Sequence, residues 1–134
     1  MSLRIPYDTI KETVKKAFLN VGLSEEQAEV CATIHTQSSA DGVESHGLNR
    51  IPRFVEYVQK GWINLEGKPE LAGARGAVEN YDGHLGIGIT NALFCADRAM
   101  ELAKEHGIGC VTLKNTTHWM RGGTYAWRMA EAGF

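Results

Sequence analysis

Hydrophobic positions in the first twenty residues recur at helical spacing. They are Ile10, Val14, Phe18 and Val21, and the lysines of this segment lie mostly on other faces. The spacing predicts a helix from about Asp8 to Asn20. Gly22 follows directly, and a glycine just past the last apolar position is a common helix end.

The next segment predicts a second helix with a defined start. Ser24 and Gln27 have the spacing of a capping box, in which each side chain accepts a hydrogen bond from the other residue's backbone. One face of this helix carries Ala28, Cys31, Ile34, His35 and Ser38. We expect the helix to end near Asp41 and Gly42.

A third, shorter helix is predicted from near Asn49 to Gly61. Pro52 has no backbone N–H to donate, so it fits only the first turn of this helix. The predicted apolar stripe consists of Ile51, Val55 and Val58.

The pattern changes after residue 66. Residues 68–81 read as two weak strands, and Asp82-Gly83 is a turn signal. A long helix follows from Gly88 to His106, with one face formed by Ile89, Leu93, Ala96, Met100 and Ala103. The last predicted elements are a short buried-type strand from Ile108 to Leu113, a glycine-rich loop and a helix from about Thr124 to Ala132.

Three helices followed by a β-β-α-β-α run indicate an α/β (α+β) fold. We expect a helical segment over residues 1–66 and the beginning of a sheet-containing domain over residues 67–134. Phe134, directly after a helix-ending glycine, is typical of the start of another strand. Because three strands make a small sheet, the pattern predicts that the chain is part of a longer protein.

Composition and charge exclude several classes of protein. Apolar residues make up 43% of the chain and charged residues 22%, which is typical of a globular protein rather than a disordered one. Fourteen basic against sixteen acidic residues give a net charge of −2, so no nucleic-acid partner is expected. No apolar run spans a membrane, and no secretion signal is visible. Three widely spaced cysteines indicate reduced, buried thiols in a cytoplasmic protein.

The first candidate site is the segment from Ser45 to Arg50. His46 precedes a glycine and a predicted helix, and the unperturbed pKa of histidine suits proton transfer at neutral pH. Arg50 could hold a carboxylate through two parallel N–H bonds, with Arg53 as its rival. Reduction of a 2-oxo acid needs such a proton donor beside a carboxylate clamp. The alternative is a histidine that caps a helix and an arginine that is merely solvated.

The second candidate site is the loop from Asn115 to Thr124, between a strand and a helix. Backbone N–H groups at such a junction can bind a phosphate, and Gly122 and Gly123 permit close approach. Trp119 could stack on a flat ring, and Arg121 could neutralise a phosphate. The alternative is an ordinary turn with Trp119 in the core.

Three weaker patterns are discounted. Gly86 and Gly88 give only part of a dinucleotide fingerprint, because the third glycine is missing. Ser45 beside His46 could suggest hydrolysis, but no nucleophile-elbow motif is present, and adjacent residues rarely point at each other. His35 and His46 have a same-face spacing, yet nothing completes a metal set, so no metal site is expected.

Two stretches together resemble the malate/L-lactate dehydrogenase family of non-Rossmann oxidoreductases. They are the Ser45-His46-Gly47-x-x-Arg50 motif and the run HGIGCVTLKNTTHWMRGGTYAW from His106 to Trp127. The resemblance covers nearly the whole chain. Within the family, it is strongest to the subgroup that reduces 2,3-diketo-L-gulonate.

This resemblance implies an NAD(P)H-dependent reductase of 2-oxo acids, a homodimer, with an unusual sheet-containing cofactor domain. His46 would be the proton donor, Ser45 a member of a charge relay, and Arg50 a substrate contact. The loop of His118, Trp119, Met120, Arg121 and Gly122 would touch the dinucleotide. The subgroup implies NADH rather than NADPH.

The family also has an acidic relay partner that this chain does not match. Neither Asp82 nor Asp97 lies at its position, and most of the family's cofactor contacts fall beyond residue 134. A second hypothesis is therefore a non-catalytic binding or interaction module derived from the enzyme, with unpaired strand edges that favour association.

Overall fold

The computed structural model describes residues 4–134, which divide into two compact units. One unit extends to Trp62 and the other from Ile63 to Phe134. Their elements follow the predicted order of three helices and then a β-β-α-β-α run, which confirms the α/β class. Each unit is described by itself below.

The first unit is built from helices joined by short turns. Its elements are α1 (Tyr7–Asn20), α2 (Glu25–Ala40), two 3₁₀ turns (Glu44–His46 and Leu48–Arg50) and α3 (Ile51–Gln59). The predicted capping box at Ser24 and Gln27 is present, with both hydrogen bonds formed. The predicted inner face of α2 is also confirmed, because all five of its residues are buried.

Three rings form the centre of this unit, one from each α-helix. Phe18, His35 and Phe54 meet with ring centroids 5.1 to 6.0 Å apart. The predicted stripe of α3 was wrong, because Phe54 is its buried residue while Ile51, Val55 and Val58 are only half-buried. His35 is fully buried, and this loss of solvent lowers its pKa from 6.5 to about 4. The imidazole is therefore neutral at pH 7.

The second unit places a small sheet against two helices. Its elements are β1 (Glu70–Arg75), β2 (Val78–Gly86), α4 (Gly88–His106), β3 (Cys110–Thr116) and α5 (Gly123–Glu131). The strand order is β1-β2-β3, with β1 antiparallel and β3 parallel to the central strand. The connection from β2 through α4 to β3 is a βαβ crossover, which explains why a long helix separates two parallel neighbours.

The predicted turn at Asp82-Gly83 was wrong, because both residues lie inside β2. The tight turn falls earlier, at Gly76, whose φ of 58° favours glycine. Beyond Asp82 the pairing of β2 with β3 is irregular, and His84 and Leu85 both have positive φ. The buried Asn91 of α4 stabilises this irregular segment by donating to the carbonyl of Gly83.

An ion pair connects the sheet of the second unit to its long helix. Arg98 of α4 donates two hydrogen bonds of 2.7 Å to the carboxylate of Glu79 on β2, and the hydroxyl of Tyr81 donates a third. The guanidinium and the phenol together lower the pKa of Glu79 to about 2. A buried carboxylate with two such partners is held ionised at neutral pH.

The cysteines depart from expectation. All three are free thiols, but only Cys31 is buried, while Cys95 is half-buried and Cys110 is exposed at the start of β3. Burial alone raises the pKa of Cys31 to about 12. Among residues 4–134, no helix is both long and apolar enough to span a bilayer.

The buried histidine predicts a pH-dependent stability. His35 has a lower pKa folded than unfolded, so the unfolded chain takes up its proton first as the pH falls. The free energy of unfolding should therefore decrease by about 2 kcal/mol between pH 7 and pH 5. Urea unfolding of the chain and of its His35→Asn variant at several pH values measures this. Glu79 titrates at lower pH and does not contribute in this range. If the free energy of unfolding changed equally with pH in the two proteins, the assignment to His35 would be contradicted.

Candidate active site

The first 3₁₀ turn brings two adjacent side chains together. Ser45 Oγ lies 2.8 Å from Nδ1 of His46, so the expectation that adjacent residues point apart was wrong here. The tight turn, closed by a hydrogen bond from the His46 amide to the Val43 carbonyl, allows this contact. Ser45 is exposed and His46 is half-buried, so the pair lies at the surface of the first unit.

Gly47 follows this pair at a point where the chain touches α2. A Cβ atom at Gly47 would overlap the hydroxyl of Ser39, and it would lie 2.9 Å from the Ser39 backbone nitrogen. The Leu48 amide donates to Ser39 Oγ over 2.9 Å, and the Gly47 carbonyl oxygen lies 3.1 Å from Nδ1 of His35. Only glycine fits here without displacing α2.

Arg50 is tied to the same turn as His46. Its Nε donates to the carbonyl of Ser45 over 2.7 Å, and its amide donates to the carbonyl of Gly47 over 3.0 Å. The side chain is half-buried and lines a cavity of about 450 Å³ in the first unit, together with Asn49, Pro52, Arg53 and Glu56. Arg50 is therefore not a freely solvated charge, whereas Arg53 is exposed.

The second predicted site lies in the other unit, in the loop between β3 and α5. The amide of Met120 donates to Nδ1 of His118 over 2.8 Å. Nδ1 is thus an acceptor, and in the neutral ring the proton is on Nε2. Met120 has a φ of 66°, and its side chain is buried, so the predicted ligand contact at this position can come only from its backbone.

The ring of Trp119 is exposed in this loop. Its side chain is 53% exposed, so the alternative that places it in the core is wrong. One face stacks on Tyr125 with centroids 5.6 Å apart, and the Tyr125 hydroxyl donates to the Trp119 carbonyl. The guanidinium of Arg121 lies over Gly123, where an added Cβ would be 3.2 Å from Nε. No atom crowds the Cβ position of Gly122.

Trp119 and His118 also border an apolar cavity of about 600 Å³ within the second unit. Thr117 of the loop also lines it, and its other walls are formed by α4, β3 and α5, through Ala92, Cys95, Ala96, Ala99, Val111, Leu113, Thr116, Tyr125 and Met129. A cavity of this size and apolar lining is typical of a small-molecule or ring-binding site.

The discounted glycine pattern at the start of α4 has a packing role. The hydroxyl of Thr117 accepts from the Gly88 amide and donates to the Gly86 carbonyl, each over 2.9 Å. A Cβ at Gly88 would overlap the carbonyls of Thr117 and His118. The Gly88 amide is therefore engaged by protein, and these glycines permit close packing of α4 against the loop.

The structure brings three of the predicted residues together in the first unit, namely Ser45, His46 and Arg50. The predicted cofactor residues 118–122 form one continuous loop of the second unit. Sequence reasoning did not find the contacts of His35 and Ser39 with the Gly47 segment. The available signal was two polar residues, four apart, at or beside the inner face of α2. Within residues 4–134, no three His, Cys, Asp or Glu side chains are grouped to hold a metal ion.

Curated relatives match nearly the whole chain. The 2,3-diketo-L-gulonate reductase of Haemophilus influenzae is 42% identical over 132 residues, which is 98% of this chain. The protein of the same name from Klebsiella pneumoniae is also 42% identical over 132 residues. In both cases the match covers 40% of the relative, so the chain spans less than half the length of these proteins.

Solved structures agree with the fold. Malate dehydrogenase from Pyrococcus horikoshii has a TM-score of 0.94 and 30% identity, over 98% of this chain and 38% of that one. Sulfolactate dehydrogenase from Methanocaldococcus jannaschii has a TM-score of 0.88 and 25% identity, over 94% and 37%.

The model of one protein family covers the chain from residue 5 to residue 134, and its description is malate/L-lactate dehydrogenase. This range includes both candidate sites and every helix and strand described above. The chain belongs to the malate/L-lactate dehydrogenase family.

Proposed function

We propose that the complete protein containing this chain reduces a 2-oxo acid to the 2-hydroxy acid with a nicotinamide cofactor. The leading substrate is 2,3-diketo-L-gulonate, on which the curated relatives named above act by their names. The observation that carries the proposal is the Ser45–His46 pair with Arg50 fixed to the same turn.

The chemistry of the reaction assigns a role to each of these residues. Hydride adds to the carbonyl carbon of a 2-oxo acid, and negative charge develops on the oxygen. His46 supplies the proton to that oxygen, with Ser45 orienting its ring through Nδ1, so the transferred proton is on Nε2. Arg50 binds the substrate carboxylate, because its planar guanidinium matches the two carboxylate oxygens.

The loop of the second unit fits part of a dinucleotide. Trp119 offers an exposed ring face, Arg121 a cation, and the open position at Gly122 allows close approach to the backbone. His118 and the backbone of Met120 complete this surface. A bound nicotinamide, when reduced, supplies the hydride. We propose NADH as the preferred form, as the resemblance to the diketo-gulonate reductases implies.

The organisation of the complete enzyme follows from the same proposal. Residues 1–66 would form the helical segment that carries the proton donor, and residues 67–134 would begin the cofactor domain. We propose a cytoplasmic homodimer, and the free, exposed thiol of Cys110 is compatible with a reducing compartment. The dehydrogenase and reductase names of the relatives favour an enzyme over the non-catalytic module.

Replacing the proposed proton donor should abolish turnover. We expect His46→Ala in the complete gene product to lower kcat by about 100-fold or more, since general acid catalysis contributes that much. Oxidation of NADH with 2,3-diketo-L-gulonate measures it, and His106→Ala, at an exposed helix end, is the matched control. Turnover of His46→Ala within about threefold of wild type would exclude the role.

The two arginines near the first site are distinguishable by kinetics. Arg50→Lys keeps the charge but loses the two-pronged geometry, so KM for the 2-oxo acid should rise about tenfold or more. Arg53→Lys should leave KM within about threefold, because this side chain is exposed and has no bond to the Ser45–His46 turn. The reverse order of effects would make Arg53 the carboxylate clamp.

The exposed tryptophan should contribute to cofactor affinity. Ring stacking on a base is worth about 1–3 kcal/mol, so Trp119→Ala should weaken NADH binding by about fivefold to 150-fold. Titration calorimetry of the complete protein with NADH measures the Kd. Trp127→Ala is the control, because Trp127 is similarly exposed on α5. Equal affinities for the two variants would remove Trp119 from the cofactor site.

A further inference from the structure

One peptide group of the first unit is held at both of its polar ends by side chains of α2. It is the peptide that joins Gly47 to Leu48. Its carbonyl oxygen lies 3.1 Å from Nδ1 of His35, and its N–H donates to Ser39 Oγ over 2.9 Å. The C=O and N–H of a trans peptide point in opposite directions, so two such bonds fix the rotation of the whole plane.

The two anchoring residues are spaced to act together. His35 and Ser39 are four residues apart on α2, so they lie one above the other on the same side of the helix. Ser39 also fills the place that a Cβ of Gly47 would need, which sets the distance between the peptide and α2. The helix therefore determines both the position and the orientation of this peptide.

The protonation state of His35 follows from its partner. The carbonyl of Gly47 can only accept, so the neutral ring has its proton on Nδ1, and Nε2 is left as an acceptor. Among the described residues, Nε2 has no hydrogen-bond partner and lies in the ring cluster with Phe18 and Phe54. A polar atom buried without a partner lowers the stability of the fold. An apolar side chain would avoid this loss of stability. What it could not supply is the hydrogen bond from Nδ1 to the Gly47 carbonyl.

The anchored peptide separates the proposed proton donor His46 from the proposed carboxylate clamp Arg50. His46 precedes it directly, and Arg50 follows it within one 3₁₀ turn. The same Gly47 carbonyl also accepts from the Arg50 amide, and Arg50 Nε donates back to the Ser45 carbonyl. A rotation of this peptide would displace the imidazole and the guanidinium relative to each other.

We propose that His35 and Ser39 are positioning residues that fix the peptide between Gly47 and Leu48 and, through it, the proton donor His46 and the carboxylate clamp Arg50. The proposal rests on the proposed function, because it assigns the two residues an effect on turnover. Neither residue has to touch substrate or cofactor for this effect. Displacing reacting groups by about an ångström can lower the rate of an enzyme strongly.

The chain offers matched variants for the test. Ser38 is buried beside Ser39 on α2, but its hydroxyl has no hydrogen-bond partner among the described residues, so Ser38→Ala is the control for Ser39→Ala. His35→Leu removes the donor to Gly47. His35→Asn keeps a donor at the position of Nδ1 while leaving the ring cluster less well filled.

The experiment measures kcat and KM of the complete gene product with NADH and 2,3-diketo-L-gulonate, below the unfolding temperature of every variant. We expect Ser39→Ala and His35→Leu to lower kcat by about tenfold or more and to raise KM, because both His46 and Arg50 are displaced. Ser38→Ala should stay within about twofold of wild type. His35→Asn should recover most of the activity although its thermal stability is lower.

Two kinetic results would overturn the proposal. One is equal kinetics of Ser39→Ala and Ser38→Ala. The other is a His35→Asn variant as impaired as His35→Leu, since a structural role alone predicts loss of stability without rescue of turnover by the retained donor. Either result together with an inactive His46→Ala leaves the proposed function intact.

If His46→Ala remains active, the proposed function is wrong, and with it the assigned effect on turnover. Crystal structures of the Ser39→Ala and Ser38→Ala proteins then decide the geometric part. A Gly47–Leu48 peptide rotated only in Ser39→Ala supports the anchoring. An unchanged peptide in both overturns it.

Discussion

The close approach of Gly47 to α2 is the contact on which the geometry of the candidate site in the first unit depends. Where any other residue would place a Cβ, the hydroxyl of Ser39 is already present. The two 3₁₀ turns on either side of Gly47 therefore meet next to α2 and not in solvent. The rings of Phe18 on α1 and Phe54 on α3 pack against His35 of α2, whose Nδ1 lies at the Gly47 carbonyl. A polar surface site is thus positioned by an aromatic core.

The second unit positions its candidate residues differently. Two of its side chains order the loop by accepting backbone hydrogen bonds, Thr117 from the Gly88 amide of α4 and His118 from the Met120 amide of the loop itself. Burial of Met120 anchors the middle of the loop, so that neighbouring Trp119 is held outward on the ring of Tyr125. An exposed aromatic ring with one face already stacked keeps its orientation at little cost in conformational entropy, which favours a binding role.

Local sequence signals were reliable where the interaction itself is local. The capping box at Ser24, the end of α3 near Gly61 and the extent of α4 are each decided within a few neighbouring residues, and each matches the structure. Signals that depend on partners far along the chain were less reliable. The turn expected at Asp82-Gly83 became an irregular part of β2, because Asp82 pairs with β3 and the side-chain amide of Asn91 donates to the carbonyl of Gly83.

The sequence by itself determined the order of the elements and the family, because these depend on residue types and short spacings, and the same patterns predict the residues of the two candidate sites. Tertiary structure decided which of those residues meet. The contact of Ser45 with His46 requires a 3₁₀ turn, and that of His35 with Gly47 joins residues twelve apart across a bend in the chain. The second contact depends on how α2 packs against the following turns. The local pattern of hydrophobic and polar residues predicts helices and strands, but it does not predict which residues of separate elements come into contact.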